Sequence, residues 1–87
     1  MSVDRADIAQ QEAELLAMLD EIRAHAPAAW LDSIEELIRV WEFRVALENL
    51  CCNLHELEVE LPKPLQQRLV ELAQRSRVDE KYWADLE

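Results

Sequence analysis

Glycine is absent from this 87-residue chain. Without it, neither a Gly-rich phosphate-cradling loop nor a tight primed hairpin turn is easily built. Runs of β-branched residues are missing as well, so no stretch reads as a strand. No apolar run approaches the roughly 20 residues of a membrane-spanning helix. Cysteine is confined to the adjacent pair Cys51 and Cys52. On a helix these point in different directions and cannot pair comfortably, which fits a reducing compartment. The opening residues MSVDRADIAQ lack the basic-then-apolar build of a signal peptide, so a cytoplasmic location is expected. Basic residues are scarce, 9 against 19 acids, for a net charge of −10. Phosphate repels such a surface. This disfavours nucleic acid and anionic membranes as direct partners, and favours a basic partner or simply solubility.

What is present is helical. Hydrophobic residues make up 51% of the chain, enough for a core in a single domain spanning residues 1–87. Ala, Leu, Glu, Gln and Arg dominate, all good helix formers. The expected fold is all-α, a compact antiparallel bundle of about four helices with a short C-terminal helical turn.

The stretch EFRVALENLCCNLHELEVEL, residues 42–61, organises the rest. Phe43, Leu47, Leu50, Leu54, Leu57 and Leu61 recur at spacings of four and three, which puts them on one stripe of a helix. Glu42, Asn49, Asn53, Glu56 and Glu60 fall on an adjacent stripe. The first stripe must be buried, with Leu50 and Leu54 at its centre. The second is left to water or to a partner.

A first helix is expected from Ser2 to Ala26, capped by Asp4, with Asp7 in its first turn and Pro27 ending it. Ile8, Leu15, Leu19 and Ile22 line its inner face, and Glu12, Glu14, Asp20 and Glu21 face away. A second helix is expected over Ala28–Arg39, with Trp30, Ile34, Leu37 and Trp41 as its apolar stripe. Asp32 and Ser33 offer competing caps, and Ser33 with Glu36 matches a capping box, so this helix starts either at Ser33 or one turn earlier. Its stripe lies roughly 150° around the axis from that of the organising helix. A break or sharp kink between Arg39 and Glu42 is therefore preferred to one long helix. Pro62 and Pro64 end the third helix, and Pro64 suits the first turn of a fourth, Pro64–Arg77, with Leu65, Leu69, Leu72 and Ser76 inward. Asp79 caps a last turn whose Tyr82, Trp83 and Leu86 form an aromatic latch.

No residue pattern is poised for chemistry. There is no CxxC, no HExxH and no repeated Glu-x-x-His pair. Cys52 and His55 share a helix face with Glu48, yet nothing supplies a pocket or oxyanion donors. Neither catalytic residues, a metal nor a cofactor is expected, and the chain does not read as an enzyme. Trp30, Phe43 and Trp83 read as core, while Trp41 sits at the expected break and off the main stripe.

The acids carry the functional signal. Residues 1–61 hold 14 acids against Arg5, Arg23, Arg39 and Arg44, whereas residues 62–87 hold 5 of each sign. A one-signed surface accelerates docking with a basic partner. The candidate partner-binding residues are Asp32, Glu35, Glu36, Glu42, Asn49, Asn53 and Glu56. The bland alternative is a solvated helical face.

Glu42, then Ala46-Leu47-Glu48 and Leu50, then Leu54 and Glu56, then the Leu61-Pro62 turn form a pattern that continues through Leu69, Leu72 and Ala73 to Tyr82-Trp83 and Leu86. This pattern resembles the small bacterial immunity proteins of polymorphic toxin systems, the MafI-type and contact-dependent-inhibition immunity families. It covers about half the chain. The family pattern carries a glycine just before the glutamate, and here Trp41 stands in that place. The resemblance implies a cytoplasmic protein that binds and neutralises one cognate toxin C-terminal domain, commonly a nuclease and so commonly basic. It implies stoichiometric occlusion, with monomer favoured. The competing class is a homo-oligomeric helical scaffold or adaptor without toxin-neutralising activity. An antitoxin-like regulator is disfavoured, because no basic recognition helix is present.

Overall fold

The computed structural model describes residues 5–26 and 29–86. Four helices, α1 (Arg5–Arg23), α2 (Ala29–Arg39), α3 (Phe43–Glu56) and α4 (Lys63–Arg75), are followed by a short α5 (Glu80–Trp83) and a 3-10 turn at Ala84–Leu86. The Asp4 cap and the Pro27 stop lie outside the described residues. No described helix is long and apolar enough to cross a membrane.

The packed pairs are α1 with α2, α2 with α3, α3 with α4 and α4 with α1, so the helices close a ring in chain order. Polar contacts fix the direction of α1 against its neighbours. Along α4, Arg68 pairs with Glu21, Arg75 Nη2 donates to Glu14 at 2.5 Å, and Gln11 Nε2 donates to Ser76 Oγ at 2.8 Å. Residue numbers fall on α1 as they rise on α4, so the two run antiparallel. Arg23 with Asp32 at one end and Glu12 with Trp41 at the other set the same sense for α1 and α2. The radius of gyration, 12.3 Å, is what a tightly packed chain of this length has, roughly 12 Å.

The core is entirely apolar among the described residues. Leu50 and Leu54 are each 1% exposed at its centre, as the leucine stripe requires. Leu15, Met18, Leu19 and Ile22 enter from α1, and Leu65, Leu69, Leu72 and Ala73 from α4. Burying one such aliphatic side chain stabilises the fold by roughly 1.5–3 kcal/mol. Phe43 and Trp83 are buried, and Trp30 packs against the core only partly buried. The C-terminal latch forms as expected. Asp79 Oδ1 accepts from the Lys81 backbone N–H, and the Trp83 indole N–H donates to the Val78 carbonyl at 3.1 Å inside the core.

The structure corrects the sequence reading at several points. In α2 the inward residues are Leu31, Ile34 and Ile38, spaced three and four, while Leu37 is half-buried and Trp41 exposed. Of the two starts expected for α2 the earlier one holds, since the helix begins at Ala29 and Ser33 is inside it. In α1, Glu12, Glu14 and Glu21 do not all face open water; they reach Trp41, Arg75 and Arg68 on neighbouring elements. The third helix stops at Glu56, five residues before Leu61. Leu57 turns out to solvent at 57% exposure, and Leu61 returns to the core from the loop.

The break after Arg39 is present, and it has a specific form. The Trp41 N–H donates to the Ile38 carbonyl and the Glu42 N–H to the Leu37 carbonyl, with Trp41 at φ 65°. This is a Schellman ending with a left-handed residue just past the helix. The same pair of bonds ends α3 around Glu58 (φ 52°) and α4 around Arg77 (φ 61°). A glycine-free chain thus terminates three successive helices at positions that glycine would occupy without steric penalty.

Candidate partner-binding surface

With its leucines inward, α3 presents Glu42, Asn49, Asn53 and Glu56 outward at helical spacing. Glu42, Asn49 and Glu56 are exposed and Asn53 is half-buried. Cys52 shares this outer side, also exposed, while Cys51 is in the core. Burial pushes the Cys51 thiol up to about 12, with a smaller contribution from the neighbouring Cys52, so Cys51 stays protonated and unreactive.

The candidate residues divide by what they already touch. Arg23 at the end of α1 reaches Asp32 and Glu35, each at 2.9 Å, and Arg39 reaches Glu35 at 3.0 Å. Glu35 is held below the ordinary glutamate range by the hydrogen bond from Arg23, then by that from Arg39. Arg23 is raised in turn, chiefly by Glu35. Asp32 and Glu35 therefore fasten α2 to α1 and are half-neutralised before any partner arrives. Glu36, Glu42 and Glu56 form no ion pair among the described residues. The same holds for Glu58 and Glu60 in the loop after α3. On the α1–α4 side Glu21 and Glu14 are engaged by Arg68 and Arg75, while Asp7, Asp20 and Glu71 form no ion pair among the described residues. Glu42, Glu56, Glu58 and Glu60 thus make an acidic stretch from the start of α3 to the loop after it, with no ion pair among the described residues. The sequence located the acid-rich helices; it did not reveal which acids are engaged across helices, because long side chains from distant positions decide that.

The grouping of Glu48, Cys52 and His55 stays open to solvent: Cys52 and His55 are exposed and Glu48 is half-buried, 3.9 Å from Arg44. Among the described residues no three His, Cys, Asp or Glu are grouped so as to hold a metal ion. The recesses are shallow. One of about 630 Å³ lies between the end of α3, the following loop and Leu86, with Glu58 and Glu60 on its border.

The sequence reading set Trp41 apart from the core but did not single out Val40 beside it. Val40 and Trp41 form an exposed apolar ridge at the α2–α3 turn, 68% and 50% exposed, directly before Glu42. The Trp41 indole N–H donates to Glu12 Oε1 at 2.9 Å. Its position off the α3 stripe was the available signal.

The fold and surface define a small all-α bundle with one acid-rich face. Compared with known proteins, the chain matches no family model, no curated protein and no solved structure.

Proposed function

We propose that this protein is an immunity protein. It binds the C-terminal domain of a cognate bacterial toxin in the cytoplasm and neutralises it one-to-one by occlusion. The observation that carries the reading is the set of exposed carboxylates on α2 and α3 and at the turn between them, Glu36, Glu42 and Glu56, that form no ion pair among the described residues. A basic toxin domain, such as a nuclease, uses Lys and Arg to hold phosphate. Carboxylates placed against those cations block the site and match its charge in one act. Asn49 and Asn53 both donate and accept, which lets the same face discriminate among basic partners. The resemblance of the α3–α4 sequence pattern to immunity families supports the same reading.

The reading requires the neighbouring upstream gene to encode a large secreted protein with a variable C-terminal domain, and the test is co-expression with that domain. The parent chain should restore growth and form a 1:1 complex. Reversing both Glu42→Lys and Glu56→Lys should abolish protection while leaving the helical circular dichroism spectrum intact. A parent chain that neither binds nor protects would sink the proposal. If it instead self-associates through the α3 face, the scaffold reading takes its place.

A further inference from the structure

We infer that the Val40–Trp41 ridge is the apolar anchor of the partner interface, received by an apolar pocket with a cationic rim on the basic domain; this rests on the function proposed above. Four observations converge. First, Val40 and Trp41 are adjacent and exposed, two of the three exposed large hydrophobic side chains among the described residues. Second, the turn does not need them. At φ 65° a glycine would form the same ending without the Cβ clash, yet the chain holds its bulkiest side chain there. Third, the ring is held before any partner arrives. Its N–H is bonded to Glu12 across from α1, so docking would freeze little further motion. Fourth, the flanking charge identifies the occupant. Glu36 lies one helical turn before Val40, and Glu42 immediately follows Trp41, and neither is ion-paired among the described residues.

The chemistry that fits is an indole beside unneutralised carboxylates. It takes an apolar cleft bordered by Lys or Arg, which can pair with Glu36 and Glu42 and lie over the ring face. The cation–ring contact found among the described residues is Lys81 over Tyr82, which leaves the Trp41 face to a partner's cation. Beside the ridge a groove of about 380 Å³ is lined by Trp41 and Glu42 together with Arg44, Arg75 and Arg77. Glu36 on α2 lies outside that lining, so a cation on the partner's rim meets carboxylate from the α2 side, while the arginines of the groove suit an acidic or neutral stretch of the same partner. Tryptophan and arginine at such a junction are the residue types that dominate interface energetics.

The experiment uses the full chain and the toxin domain that the proposed function requires the neighbouring upstream gene to encode. The tryptophans are replaced by 5-fluorotryptophan, and the Trp41 signal is assigned as the one missing from Trp41→Phe. On complex formation the Trp41 fluorine signal should move, while that of the buried Trp83 stays in place. In parallel, Trp41→Gly, which keeps the left-handed turn, should weaken binding by roughly 30-fold or more, the loss expected of an anchor. A complex in which the Trp41 signal is unmoved and Trp41→Gly binds like the parent overturns the anchor and leaves the acidic face standing. No complex with the parent chain overturns both. If the fluorine signal instead moves with protein concentration in the absence of the toxin domain, the ridge belongs to a contact between two copies, and the inference fails.

Discussion

Replacing Glu58 by glycine should stabilise this protein. Glu58 follows the last turn of α3 at φ 52°, exposed, with its N–H on the His55 carbonyl at 3.2 Å. The next N–H, of Val59, reaches the Leu54 carbonyl at 3.0 Å. A non-glycine residue in this conformation bears a steric penalty of roughly 1–2 kcal/mol. Glycine removes it but leaves the unfolded chain freer, which offsets roughly 0.5–1 kcal/mol. The net gain is about 0.5–1 kcal/mol. The carboxylate is also lost, and on a chain of charge −10 that alone reduces repulsion. Glu58→Ala separates the two effects, since it removes the charge and keeps the Cβ. In urea denaturation, Glu58→Gly should exceed Glu58→Ala by about 0.5–1 kcal/mol, which is several degrees in Tm for a domain of this size. An alanine variant as stable as the glycine variant would refute the steric argument.

Other consequences follow from the same geometry. Leu54→Ala, at the centre of the core, should lower stability by roughly 2–5 kcal/mol in the same assay, and a loss under about 1 kcal/mol would contradict its place there. A thiol reagent should label Cys52 alone in the native protein and both cysteines only after denaturation; rapid native labelling of Cys51 would contradict its burial. Glu35 titrates below its ordinary value of 4.5, so its stabilising contribution is complete above that pH and disappears as pH falls through the lowered value. The stability difference between the parent and Glu35→Gln should therefore be flat near neutrality and shrink in acid. A difference that persists at strongly acidic pH would remove the Arg23–Glu35–Arg39 contacts from the account.

The spacing of Leu47, Leu50 and Leu54 made the central helix and its buried face legible, because a 3.6-residue period reports directly which side faces inward. Helix ends were harder, for a reason specific to this composition. Glycine is the usual mark of a left-handed ending, and here Trp41, Glu58 and Arg77 take its place. With no such mark, the leucine spacing carried the expected helix past Glu56 to Leu61, although Leu57 is in fact outside and Leu61 is buried from a loop. In α2, the aromatic residues drew the expected stripe toward Trp30 and Trp41. The spacing of Leu31, Ile34 and Ile38 was equally visible and is the one that packs. The candidate acids were legible as a group, but their division into engaged Asp32 and Glu35 and unengaged Glu36, Glu42 and Glu56 depends on where Arg23 and Arg39 reach.

The central claim is that unpaired carboxylates around α3 steer and hold a basic partner. The most direct test is the association rate with the toxin domain by stopped-flow, over a range of ionic strength, for the parent and for the Glu42→Lys, Glu56→Lys pair. Steered association runs roughly a hundred-fold or more above the unsteered 10⁵–10⁶ M⁻¹s⁻¹ at low salt, and falls steeply as salt screens it. The parent should show that steep fall, and the reversed variant should associate slowly with little or inverted salt dependence. Parent and variant rates that coincide at every ionic strength would show that the acidic face does not meet the partner.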